Sequence, residues 1–318
     1  MKKLSLFLVA LTMILFSCKP EPEQPVGPVV ITAEVSDITR NSAKCGGGVS
    51  DGGGAYVVER GVCWNTSGNP TVLDIRVKDT EGGLGTYISN ITDLEHNTTY
   101  YVRAYAVNAN GVAGYGPEVS FKTSALYSPA TGTSNGYGYV DLGLSVKWAT
   151  CNVGANSPEE YGDYFAWGET STKETYDYDN CPTEELSISQ LQSQGYIDSE
   201  GNLTSQYDAA TANWGGSWRM PTYDELNELI TKCTWEWINT NDFKGYSVTG
   251  PNGNKIFPPA AGIRYGSSLD EAGSYGSYLS STPEGLDYLA YYLDFYIGYH
   301  RMHYSYRTHG QSVRSVLE

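Results

Sequence analysis

Residues Asp208–Leu229 read DAATANWGGSWRMPTYDELNEL, two short helical signals around a corner. Ala209, Ala210 and Ala212 are good helix formers. Gly215-Gly216 can end their helix, because glycine adopts positive φ without a Cβ clash. Trp218-Arg219-Met220 precedes Pro221, whose ring keeps the chain before it out of the α region, so this piece is extended. Thr222-Tyr223-Asp224-Glu225 has the spacing of a capping box, in which the threonine hydroxyl and the glutamate satisfy orphan amides at a helix start. Leu226, Leu229, Ile230 and Cys233 then fall at i, i+3, i+4 and i+7, one buried face. The expectation is helix, corner, helix.

The chain starts with Met1-Lys2-Lys3 and an apolar run from Leu4 to Phe16. That run is shorter than the roughly 20 residues that span a bilayer, and suits a secretory signal over 1–17. Leu15-Phe16-Ser17-Cys18 resembles a bacterial lipobox, with Cys18 as the lipidated first residue of the mature chain. A cleaved signal with a chance cysteine is the competing reading. Lipidation implies a protein tethered to the membrane, its first partner, without a spanning segment; the cationic-then-acidic residues after Cys18 look like signals of bacterial outer-membrane lipoproteins, facing the periplasm or the exterior. Residues 18–28, rich in proline and glutamate, suit an extended tether.

Acidic residues number 36 against 20 Lys and Arg, and no basic run occurs, which argues against nucleic acid. Tyrosine reaches 27 copies, fitting amphipathic sheet faces or aromatic contact surfaces. Beyond Cys18 the cysteines are Cys45, Cys63, Cys151, Cys181 and Cys233, an odd set that leaves one thiol free under any pairing. Their spacing fits no zinc site.

From 29 to 124 the chain reads as short strands between turns. Tyr101–Val107 alternates apolar and polar, and Asn110-Gly111 supplies a hairpin turn. Leu94, Tyr100, the run Val102–Asn108 and the closing Val119–Thr123 give this part a resemblance to a fibronectin type III domain. The resemblance implies an all-β sandwich in which the Tyr100 hydroxyl ties back to backbone near Leu94. The tryptophan expected on the second strand is missing near Gly48, and Trp64 is a candidate replacement. Cys45 and Cys63 have two readings, a bridge between sheets or two small buried apolar side chains.

Residues 125–138 are rich in Ser, Thr, Gly and Pro and read as a linker. A hairpin turning at Gly143 then opens a second domain, 139–318. VDLGLSVKWATCNVGANSPEEYGDYFAWGE, WRMPTYDEL, CTWEW, GYSVTGPNGNKIFPPAAGIRYG and the final GQSVRSVLE occur in order. Together they resemble the Fibrobacter succinogenes major paralogous domain, and the corner and closing SVRSV are similar to formylglycine-generating-enzyme-like domains. The resemblance implies an α+β, C-type-lectin-like fold with two helices and a twisted, mostly antiparallel sheet. The chain is therefore expected to be multidomain. Trp148, Trp214, Trp218, Pro221, Thr222, Glu225 and Tyr100 are its expected structural residues.

Formylglycine-generating chemistry needs a late pair of reactive cysteines, and no cysteine follows Cys233. There is no GxSxG elbow. His300 and His303 lie three apart on a strand, which sends their rings to opposite faces and argues against a shared metal. Glu159–Glu185 holds nine acids, read as a solvated face with calcium as a weaker alternative; no cofactor is expected. Tyrosines crowd the C-terminal strands. Alternation puts Tyr291, Leu293 and Phe295 toward the core and turns Tyr292 and Asp294 outward. Tyr292, Asp294, Tyr296, Tyr299, His300 and Arg301 are expected to bind a ligand. So are Tyr265 and Tyr275, in a long loop from Pro251 to Glu284. Cross-strand pairing that only stabilises the sheet is the competing reading. The expectation is a non-catalytic surface lipoprotein that binds a glycan or a surface protein. An enzyme acting on extracellular polysaccharide and a structural subunit of a surface assembly are the alternatives.

Overall fold

The computed structural model describes residues 24–240 and 242–318. The expected signal segment, Cys18 and the start of the tether lie outside them. Most of the regular structure is β-sheet, with a few short helices, and no described helix is long and apolar enough to cross a membrane. The chain divides into two compact units at Ser124/Ala125.

The first unit contains β1 (Val29–Thr32), β2 (Ala43–Asp51), β3 (Val57–Asn65), β4 (Ile75–Lys78), β5 (Gly85–Ile91), β6 (Thr99–Asn108), β7 (Ala113–Tyr115) and β8 (Val119–Lys122). They form two antiparallel sheets, β1-β2-β5 and β4-β3-β6-β7, with β8 also paired to β6. Val62, Ile91, Val102 and Ala104 meet in the core of this sandwich, and Trp64 is buried among them. Tyr100 Oη accepts the Glu95 amide hydrogen at 2.9 Å, which pins the turn into β6. Gly111 turns the β6–β7 hairpin at φ 75°. Cys45 and Cys63 are buried free thiols, each pushed up to about 11 by burial. The tether ends earlier than 28, because Pro28 is buried and the Val26 carbonyl accepts a hydrogen bond from Asn108 Nδ2.

Residues 125–138, expected as a linker, are folded into the second unit. Leu126 is buried there, its carbonyl accepts the Ser247 hydroxyl, and β9 (Gly132–Ser134) pairs with β10 (Tyr137–Val140). Turn-rich composition hid these contacts, because a short strand held by backbone bonds needs no apolar pattern.

The second unit continues with β11 (Lys147–Ala149), β12 (Tyr164–Phe165), α1 (Ile188–Ser193), α2 (Ala209–Trp214), α3 (Tyr223–Lys232), β13 (Thr234–Asn239), β14 (Lys244–Thr249) and β15 (Lys255–Ile256). Then come β16 (Ile263–Tyr265), β17 (Ser268–Asp270), β18 (Tyr275–Pro283), β19 (Leu289–Tyr296), β20 (Tyr299–Tyr306), β21 (Gln311–Ser312) and β22 (Val316–Leu317). The main sheet runs β12-β21-β18-β19-β20, antiparallel except for the β18–β21 pair. A second sheet, β22-β11-β10-β9, joins the two ends of the unit.

Helix, corner, helix is observed. Asp208 caps α2, Gly215 and Gly216 end it at φ 65° and 62°, and Arg219 bridges to Val316. Thr222 and Glu225 form the capping box of α3, and Arg219 adds a two-pronged ion pair to Glu225. Trp218 is buried, edge-on to Trp214, and donates its indole hydrogen to the Ser134 carbonyl. Tyr137 stacks on Trp214 at 4.2 Å.

Both faces of the main sheet are covered. Leu279 and Ala290 pack with Trp167, Trp214 and Trp218, whereas Tyr278, Leu293 and Phe295 pack with Trp148, Leu226, Leu229 and Tyr246. At Gly276 a Cβ would sit 2.0 Å from the Phe295 ring, so only glycine allows this ring its place in the pleat. The expected long loop Pro251–Glu284 therefore contains β15, β16, β17 and the buried strand β18. Ser277, Ser280 and Ser281 are buried in β18, and their small polar side chains masked a central strand. Arg314 of the closing SVRSV run is buried too, donating to the carbonyls of Ala149 and Phe257.

Candidate functional site

A cleft of about 540 Å³ opens in the second unit where three chain segments meet. The segment Tyr176–Glu185 contributes Tyr176, Asp177, Tyr178, Glu184 and Glu185. The β16–β17 hairpin contributes Tyr265, and Tyr288, Tyr306 and His309 come from β19's approach and the end of β20.

Backbone pairing fixes the first two segments to each other. Tyr176 N donates to the Gly266 carbonyl at 2.8 Å and Gly266 N returns the bond to Tyr176 at 2.9 Å. Gly266 turns the hairpin at φ 55°. Arg264 and Gly310 exchange the same pair of bonds, which draws the His309 turn alongside. The Tyr176 ring is buried at the base, its hydroxyl donating to the Tyr164 carbonyl at 2.6 Å.

Arg307 clamps the rear of the cleft. This fully buried guanidinium donates to the carbonyls of Thr183, Leu186, Asp287 and Leu289, so one side chain positions both the Glu184-Glu185 turn and the Tyr288 turn. Burial pushes its pKa down to about 10, still far above neutrality, so it stays charged.

The rings along the cleft form a continuous series. Tyr288 and Tyr306 stack with centroids 5.7 Å apart and planes 24° apart; Tyr306 meets His309 edge-on, and His309 meets Tyr265 in the same way. Tyr178, Tyr265, Tyr288 and Tyr306 are all exposed. Exposed rings held rigidly by backbone pairing cost little entropy to order around a ligand.

Burial raises the Glu184 carboxyl above its ordinary value, with Arg307 opposing the shift and Glu185 adding to it. Glu184 Oε2 and Asp177 Oδ1 are buried atoms that accept no hydrogen bond from the described residues. Tyr178 is raised chiefly by its hydrogen bond to Glu185. Burial lowers His309, so its imidazole is neutral at pH 7; Nδ1 pairs with the Ser305 hydroxyl at 2.8 Å. This arrangement can stack an apolar ring face on an exposed tyrosine and receive hydrogen-bond donors on the carboxylates that line the cleft. Among the described residues no three His, Cys, Asp or Glu side chains converge in a way that could hold a metal ion.

Of the residues expected to bind a ligand, Tyr265 lies on this cleft. Tyr292 and Asp294 are buried rather than outward, because the sheet is covered on both faces. Tyr275 and Tyr292 join hydroxyls at 2.8 Å, Asp294 accepts Arg301 Nε at 3.3 Å, and Arg301 lies over Tyr299. Burial raises both of these tyrosine hydroxyls. Tyr296 stacks on Tyr299 at the β19–β20 turn. These residues form an internal polar knot and a hairpin tip, not one open site. His300 is separated from them by strand alternation and stacks flat on Trp235 at 4.6 Å, whereas His303 faces Tyr292. No local sequence signal marks Asp177, Tyr178, Glu184, Glu185, Tyr288, Tyr306, Arg307 and His309 as parts of one site. The acidic run and the tyrosine-rich strands were both visible in the sequence; that they meet is a tertiary fact.

No family model matches the chain, and no curated protein matches it. Among solved structures, one titled "Myokine structure" is 22% identical, covering 32% of this chain and 99% of that one, with a TM-score of 0.24. The sensor domain of the anti-sigma factor RsgI4 of Pseudobacteroides cellulosolvens is 21% identical, covering 33% and 81%, at 0.25. A human fibronectin type III domain, the fourth of its protein, is 20% identical, covering 38% and 96%, at 0.26.

Proposed function

We propose that the second unit is a non-catalytic binding head that holds a glycan in the tyrosine-lined cleft, presented from the bacterial outer membrane by a lipid on Cys18. The observation that carries this reading is the set of exposed rings that share one cleft with the carboxylates of Asp177, Glu184 and Glu185. A pyranose has an apolar face for the rings and a hydroxyl edge for the oxygens. Recognition of a surface protein is the other form of the same reading. The first unit is read as a fibronectin type III-like spacer, supported by its β1-β2-β5 and β4-β3-β6-β7 strand order and by the Tyr100 corner. The second is read as a C-type-lectin-like domain of the Fibrobacter succinogenes major paralogous family. The pairing of β11 with β22 and the capped helix at the WRMPTYDEL corner support that.

A glycan array probed with the full-length protein tests the head: selective spots that vanish in Tyr306→Ala support it, and uniform blanks overturn it. Labelled palmitate entering the wild type but not Cys18→Ala supports the anchor. One observation favours a second reading, a polysaccharide-cleaving enzyme: Glu184, raised by burial, shares the cleft with Asp177 and Glu185, as a general acid would beside a second carboxylate. Release of reducing ends from a bound glycan, abolished in Glu184→Gln, would establish that reading instead.

A further inference from the structure

We infer that the cleft selects a positively charged ligand, an amine-bearing saccharide such as a chain of glucosamine units. This deepens the glycan reading and rests on it. Asp177, Glu184 and Glu185 line the cleft. An adjoining hollow of about 520 Å³ shares Glu185 and Tyr288 with it and adds Asp287. Among the described residues neither lining contains a lysine or an arginine.

The acidic excess is local. On the other side of Tyr176 a third hollow, about 450 Å³, sets Lys173 and Arg264 among Asp163 and Glu174, so charge there is balanced. The cation closest in role, Arg307, is committed to backbone carbonyls at the rear of the wall. His309 contributes no charge at neutral pH.

A neutral sugar would offer hydroxyls to the carboxylates of Asp177, Glu184 and Glu185 but bring no charge to a lining of three acids that has only Arg307, at its rear, to oppose them. An ammonium brings three donors and the missing charge, and charge-assisted bonds are about twice as strong as neutral ones. The faces of Tyr288 and Tyr306 add attraction for a cation. A lysine side chain of a peptide would also bring the charge. It lacks the apolar face of a pyranose, which the exposed rings of Tyr288 and Tyr306 can take, and this favours the saccharide.

The experiment is calorimetric titration of the full-length protein with four probes of equal length: a glucosamine oligomer, its fully N-acetylated counterpart, a cello-oligosaccharide and an oligolysine. The expected result is glucosamine binding about tenfold or more tighter than the other two sugars, weakened by salt and by the pair Asp177→Asn and Glu184→Gln. Equal or tighter binding of the acetylated or neutral sugar overturns the charge inference and leaves the glycan reading standing. Binding of oligolysine alone overturns both in favour of a basic protein partner. Silence from all four overturns the charge inference, and the glycan array then decides the glycan reading. Folding of the double variant is checked by its unchanged melting transition.

Discussion

The corner around Trp218 and the cleft around Tyr306 use aromatic rings in opposite ways. At the corner the rings are buried, the Trp218 indole hydrogen is accepted by a carbonyl, and the nearby carboxylate Glu225 is fully engaged by Arg219 and Thr222. At the cleft the rings face solvent, and two carboxylate oxygens are buried without donors from the described residues. Buried and satisfied groups stabilise a fold; exposed rings beside carboxylates on a rigid frame are available to a ligand. Ring content alone does not separate the two. Burial and completion of hydrogen bonding do.

The largest effect expected from that contrast is at the corner. Trp218→Ala removes a fully buried indole and strands the Ser134 carbonyl, and should destabilise by about 3–5 kcal/mol. Urea denaturation measures it, and a loss below about 1 kcal/mol would contradict the packing described.

Arg307→Lys comes next and joins the two regions of the comparison, since this residue is buried like the corner yet shapes the cleft. A lysine keeps the charge but cannot reach the carbonyls of Thr183, Leu186, Asp287 and Leu289 together. We expect about 2–3 kcal/mol of lost stability, from buried acceptors left without donors, together with lost ligand affinity. Affinity unchanged in a destabilised protein would show that the two turns hold their places without it.

Legibility in the sequence follows the same division. The helix-corner-helix segment could be derived in detail, because capping, glycine termination and the pre-proline restriction act within a few residues of chain. Tyr100 was legible through the fibronectin-like motif, and its bond to Glu95 lies close in sequence. The cleft was not legible. It depends on Tyr176 pairing with Gly266 and on Arg307 reaching Thr183, contacts across long sequence separations that carry no periodic signal. Strand alternation at Tyr292 and Asp294 gave the correct parity but the wrong environment, since parity states which face a residue occupies and not whether that face is covered.

A smaller effect tests the corner's electrostatics. Burial alone would raise the Glu225 carboxyl, but hydrogen bonds from Arg219 and from the Thr222 amide outweigh it and hold the group below its ordinary value. A depressed carboxyl contributes stability that is present above its unfolded pKa, about 4.3, and is lost as pH falls through the lower folded value. The stability gap between wild type and Glu225→Gln should therefore be constant from neutral pH down to that range and shrink below it. Thr222→Ala should cost about 1 kcal/mol at neutral pH and show the same dependence more weakly, because the Thr222 side chain is the smallest of the contributions that hold Glu225 down.

Tyr306→Ala should change stability least, by no more than about 0.5 kcal/mol, because the ring is exposed and contributes only its stack on Tyr288 and its edge contact with His309. Binding should respond in the opposite sense to the corner variants: an affinity loss of about tenfold for whatever glycan the array selects, with the melting transition in place. A Tyr306→Phe variant separates stacking from the hydroxyl, since it retains the ring and should recover most of the affinity. If Tyr306→Ala instead unfolds the second unit while Trp218→Ala is tolerated, the assignment of scaffold and surface is reversed.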